Sequence, residues 1–181
     1  MDLWNIYFIN QRKICYFMDT EFILLLLFQS LVVIMGIRSF VWSCVDNALL
    51  LILIGLYFVT AYMLEINLNT IIWHAAAGLI VFILGFALFF ISRSIISAGV
   101  LKAAAVFAIW FGWTTDFLIF LIASFLLNGL FAIIVLSPLY RVLKFLPSFK
   151  NGRIIPYATG FCLVAFYWSL SDSFLPIVSR A

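Results

Sequence analysis

Residues 71–91 read IIWHAAAGLIVFILGFALFFI, and residues 117–139 read FLIFLIASFLLNGLFAIIVLSPL; neither run contains a charged side chain. A helix rises about 1.5 Å per residue, so roughly 20 apolar residues cross a hydrocarbon core about 30 Å thick. Around these two runs lie four more apolar stretches, at about 22–37, 48–64, 98–113 and 155–170. No soluble core in a chain of 181 residues needs so many uninterrupted apolar helices. The expectation is an all-α integral membrane protein, a bundle of about six transmembrane helices.

Composition agrees. Hydrophobic residues make up 67% of the chain and charged residues 9%, which leaves no room for a separate soluble domain. Cys15, Cys44 and Cys162 are far apart and form no CxxC pair, so they read as small apolar side chains. Arg12 and Lys13 precede an apolar run, as in a secretory signal. However, Asp19 and Glu21 intervene and no small-x-small cleavage site closes the run, so a retained first helix is expected. The aromatic-rich residues 1–21 read as an interfacial segment, or as a start-site extension with Met18 the true start. Residues 22–178 read as one membrane domain.

Orientation comes from the basic residues. With six helices, the loops after the first, third and fifth share a side carrying Arg38, Arg93, Arg141, Lys144, Lys150 and Arg153, with Lys102 at its edge. The other side has only Arg12, Lys13 and Arg180, along with Asp2, Asp19, Glu21, Glu65, Asp116 and Asp172. Seven basic residues against three place the odd loops in the cytoplasm and both termini outside.

Few groups here can carry chemistry. Lys102 lies inside an apolar run, where a lysine at mid-bilayer costs about 2.5–3.5 kcal/mol. It sits about one turn from the cytoplasmic end and can snorkel, so an interfacial anchor competes with a role in a site. His74 reads as a packed or hydrogen-bonded interfacial side chain, since no second His, Cys or carboxylate in its segment completes a metal set. Glu65, Asp116 and Asp172 read as solvated loop charges. No Walker A, GxSxG or HExxH motif is present, and no cofactor or nucleic-acid partner is expected. The apolar runs have no row of ionisable residues and no matching pair of broken helices, which disfavours an ion-coupled transporter.

Three segments read together resemble the type IV prepilin peptidases, in particular the short kind associated with tight-adherence pili. They are SFVWSCVDN at 39–47, SAGVLK at 97–102 followed by AAAVFAIWFG, and IPYATG at 155–160. Asn47, Gly99, Lys102, Pro156 and Tyr157 match the family pattern in order and spacing, and the likeness runs from about 22 to 177. It implies six membrane helices, a bacterial inner-membrane location with periplasmic termini, and a type IV prepilin or a pilus assembly protein as partner.

The family's activity depends on two aspartates at the cytoplasmic face. One activates water and the other supplies a proton, their pKa values being driven apart by like charge. Here the two positions fall on Ser39 and Val100, neither of which is a carboxylate. The nearby Asp46 cannot make a dyad alone and reads first as a turn-forming Asp-Asn pair. The implied function is a catalytically silent relative acting in pilus biogenesis or protein secretion. The alternatives are an active membrane aspartic endopeptidase cleaving prepilin leaders, and an unrelated structural subunit or small transporter. Gly78, Gly85 and Gly129 are small enough to let a partner helix approach.

Overall fold

The computed structural model describes residues 3–42, 44–91, 98–137 and 157–170, with side chains from Thr20 onward. Among them are six helices and no strand: α1 (Leu3–Trp42), α2 (Asn47–Met63), α3 (Leu68–Ile91), α4 (Ala98–Phe111), α5 (Thr115–Leu136) and α6 (Tyr157–Ser169). The helices from α2 onward start and stop within about three residues of the sequence-based bounds. The first does not. A helix was expected from about Phe22, but the backbone is helical from Leu3, so no break separates residues 3–21 from the apolar run. Charges at Arg12, Lys13, Asp19 and Glu21 oppose burial in lipid but do not oppose i→i−4 hydrogen bonding. No glycine or proline interrupts the sequence before Gly36. Forty residues give a helix about 60 Å long, roughly twice what one crossing needs.

Three segments are long and apolar enough to cross a membrane: Thr20–Trp42, Leu68–Ile91 and Thr115–Val135. The other apolar helices are shorter, α4 with only 14 residues, so length and composition single out three spans rather than six. The basic segment around 140–154 and residues Arg93, Pro156, Asp172 and Arg180 lie outside the described residues.

Side-chain contacts define the two ends. Thr159 of α6 donates to the Gly36 carbonyl of α1 at 3.3 Å, and Phe40 of α1 lies 6.3 Å from Phe131 of α5. These contacts gather the end of α1, the end of α5 and the start of α6. At the opposite end Gln29 of α1 donates to the Ser169 carbonyl of α6 at 3.4 Å. The helices therefore run alternately up and down.

The centre is α4. It packs most extensively on α3 and also meets α2, α5 and α6. Val100, the six residues 103–108, Trp110 and Phe111 are all buried. Ala103, Ala104, Ala105 and Ala108 let neighbouring backbones come close on every side, as small residues do where helices pack in an apolar medium. Outward, the bundle shows large apolar side chains such as Leu51, Phe90, Ile91 and Leu126, each at least 66% exposed. So wide an apolar exterior exceeds what a protein facing water tolerates.

Glycines mark the closest approaches. A Cβ on Gly36 would lie 3.0 Å from the Cys162 Cβ, and one on Gly85 would lie 3.1 Å from Leu101. On Gly78 it would meet Ile109 and sit 3.0 Å from the Ala105 carbonyl oxygen. Gly78 and Gly85 are thus taken up by α4 within the chain and are not available to a partner helix. Only Gly129 of the three expected contact glycines faces open space. Cys162 is buried, as a small apolar side chain should be, whereas Cys44 is exposed in the link between α1 and α2.

Candidate functional site

Helix α2 starts at Asn47 because Asp46 caps it. Asp46 has extended backbone, and its Oδ1 accepts from the Ala48 N–H at 3.0 Å. Its Oδ2 accepts from the Arg38 guanidinium at 2.9 Å. The next residue, Asn47, accepts through Oδ1 from Lys102 Nζ at 3.2 Å. Lys102 lies on the second turn of α4, and helical side chains lean toward the N-terminus. Its aliphatic stem therefore runs along the bundle and delivers the ammonium to the bundle's end. Two short links, Arg38–Asp46 and Asn47–Lys102, thus tie α1, α2 and α4 together at that end.

The remaining motif positions follow from these links. Ser39 adjoins Arg38 and is buried; Val100 lies two residues before Lys102 and belongs to the apolar core; Gly99 is half-buried. Pro156 and the Tyr157 side chain lie outside the described residues. Asp46 is the only carboxylate at this end among the described residues, and both of its oxygens are engaged. A carboxylate held by a guanidinium and a backbone N–H has no second acid with which to share a proton. Its geometry is that of a cap. Among the described residues no cluster of His, Cys, Asp or Glu could hold a metal ion.

A stability measurement checks this assignment. Asp46→Ala should cost about 1 kcal/mol, the usual loss for removing an N-cap side chain. The ion pair adds little, because the Arg38 side chain is 55% exposed and Asp46 34%. Asp46→Asn keeps the cap and should stay within about 0.5 kcal/mol of the wild type in a thermal melt.

A second polar cluster lies at the other end, around the histidine that the sequence reads as packed or hydrogen-bonded. His74 is fully buried. Its Nδ1 sits 2.7 Å from the Ile109 carbonyl oxygen of α4 and so donates the proton there. The ring stacks on Tyr57 of α2, with centroids 5.6 Å apart and planes 18° from parallel. Gly112 ends α4 with φ +64, and its bare Cα lies over the imidazole, where a Cβ would be 2.7 Å from Nε2. Trp110 completes the packing and donates from Nε1 to the Leu53 carbonyl at 3.2 Å. His74 Nε2 and the Tyr57 hydroxyl have no hydrogen-bond partner among the described residues.

Ser124 and Asn128 of α5, one turn apart, are likewise buried with side-chain polar atoms unpartnered among the described residues. Asn128 fits against α6 only because residue 160 is glycine. The sequence reading missed Tyr57, Trp110, Ser124 and Asn128. The signal that finds them is a polar or small residue inside an otherwise apolar helix, which in such helices marks the inward face. No protein-family model, curated protein or solved structure matches the chain.

Proposed function

We propose that the chain is a six-helix integral membrane protein, a diverged and catalytically silent relative of the type IV prepilin peptidases that acts in pilus biogenesis. The observation that carries the reading is the Asn47–Lys102 hydrogen bond at 3.2 Å. It joins two motif-like segments 55 residues apart, both chosen from sequence order alone. The likeness thus has a spatial counterpart, because residues that match the family pattern meet across α2 and α4. Membrane residence is supported by the three long apolar helices and the apolar exterior. The shorter α2, α4 and α6 cross with their ends reaching the interfacial region, or within a locally thinned bilayer.

The positions of the two aspartates hold a buried serine and a buried valine, and the one carboxylate nearby is committed to a helix cap and an arginine. Neither a serine hydroxyl flanked by no base nor a valine can activate water.

The experiment is a leader-cleavage assay. The chain is expressed in membranes with a prepilin substrate, in a host lacking any endogenous peptidase, with an active family member as control. The expected result is no cleavage by the inserted chain, together with co-purification of the precursor. Cleavage abolished by Asp46→Asn would overturn the silent reading and make the chain an enzyme. Absence of both cleavage and co-purification would leave an unrelated membrane subunit as the better description.

A further inference from the structure

Helices α2 and α3 are consecutive, yet each rests on α4 far more than on the other. The gap left between them is a groove of about 450 Å³ open to the side of the bundle. Leu51 and Ile54 of α2, Ala75 and Phe82 of α3, and Val106 and Ile109 of α4 form its apolar wall. One end is polar and holds Asn47 and Lys102. The run from Asn47 to Ile54 along α2 is about 10 Å. Beyond Ile54 and Ile109 the Tyr57–His74 stack bridges α2 to α3. The groove is thus apolar along its walls and cationic at one end.

Charge decides what fits it. Among the described residues no carboxylate pairs with Lys102, since Asp46 is bound to Arg38. Asn47 offers Lys102 one acceptor, while an ammonium has three protons to donate. Helices α2 and α4 both start at this end, adding the positive ends of their dipoles. A phospholipid combines the two features the groove pairs, an apolar chain for the apolar walls and an anionic headgroup for the Lys102 end.

We infer that the α2–α3–α4 groove is a binding site for an anionic phospholipid, with an acyl chain in the slot and the phosphate headgroup on Lys102 and Asn47. This inference rests on the membrane reading of the chain but not on its likeness to the peptidases.

The test is native mass spectrometry of the full chain released from vesicles of equal phosphatidylglycerol and phosphatidylcholine. The expected result is about fivefold preferential retention of phosphatidylglycerol, the effect of one well-placed lysine near an anionic headgroup. Lys102→Gln should bring the ratio to about one without changing phosphatidylcholine retention. Ala75→Phe, at an exposed helical position that lines the slot, should reduce retention of both lipids.

Equal retention of the two lipids by the wild type, or an unchanged ratio in Lys102→Gln, would overturn the proposal. So would displacement of the lipid by millimolar glycerol phosphate, which would show a headgroup site without a chain slot. Displacement by a prepilin-helix peptide that crosslinks at Leu51 would likewise overturn it in favour of a peptide groove. An alkaline wash of the membranes separates the two levels. A chain that stays in the pellet yet shows no lipid preference refutes the groove alone, whereas a chain that washes off refutes the membrane reading.

Discussion

Replacing Gly112 with alanine should lower the melting temperature of the detergent-solubilised chain by roughly 6–12 °C, the shift expected for about 3 kcal/mol in a protein of this size. Two terms add. The residue ends α4 at φ +64, where a side chain costs roughly 1–2 kcal/mol. The new Cβ would also fall 2.7 Å from His74 Nε2 and 3.0 Å or less from Cδ2 and Cε1. The ring cannot retreat easily, because the Ile109 carbonyl holds one edge and Tyr57 covers a face. Overpacking of this kind costs about 1–3 kcal/mol.

The two terms are separable by a double-mutant cycle with His74→Ala. Removing the ring should relieve the clash and leave the backbone term, so Gly112→Ala should cost only about 1–2 kcal/mol in that background. Equal costs in both backgrounds would show that Gly112 and His74 do not meet as described.

Trp110→Ala should be comparably severe. The indole is 1% exposed, its centroid lies 4.5 Å from Phe28 and 5.7 Å from Tyr57, and its N–H bonds the Leu53 carbonyl. In soluble proteins such truncations cost about 3–5 kcal/mol, part of it lost transfer from water. On the membrane reading proposed above that part is absent, because a separated helix would face hydrocarbon as well. What remains is the cavity, the lost dispersion contacts and the hydrogen bond, so about 3 kcal/mol is expected, at the lower end of the range. Trp110→Phe keeps most of the packing and should lose only about 1 kcal/mol. Denaturation in mixed micelles would measure both. Equal losses for Ala and Phe would mean that the hydrogen bond, not the packing, holds α2 to α4.

These two residues illustrate what a sequence of this kind reveals. The apolar runs were readable because length and absence of charge suffice to mark them. From α2 onward their ends were placed to within about three residues by where the apolar runs stop, while the caps at Asp46 and Thr114 came only from the structure. The direction each helix faces was not, because helices apolar on every side carry no amphipathic signal. On α3 the inward residues are Thr70, His74, Ala77, Gly78 and Gly85, while Leu79, Ile83 and Phe90 point out. That is the reverse of the pattern in water; the reading of His74 as a packed, hydrogen-bonded side chain holds, but nothing in the sequence named Ile109 and Tyr57 as its partners.

The meeting of Asn47 and Lys102 was legible only as an order of motifs. Nothing in the spacing of 55 residues dictates that α2 and α4 should touch. The start of α1 was set at about Phe22 rather than Leu3 for a third reason: charge density marks where lipid burial stops, and helicity need not stop there.

The sheathed position of α4 also bears on how the chain is made. Fourteen residues reach about 21 Å, so on the proposed membrane reading this segment is a weak candidate to leave the translocation machinery for lipid by itself. It would enter as a hairpin with α3, whose glycines receive it, and its far side would stay uncovered until α6 emerges. A nascent chain halted before α6 would therefore present an incomplete assembly to quality-control proteases. Truncations in this gene would be expected to deplete the protein rather than release a partly working fragment.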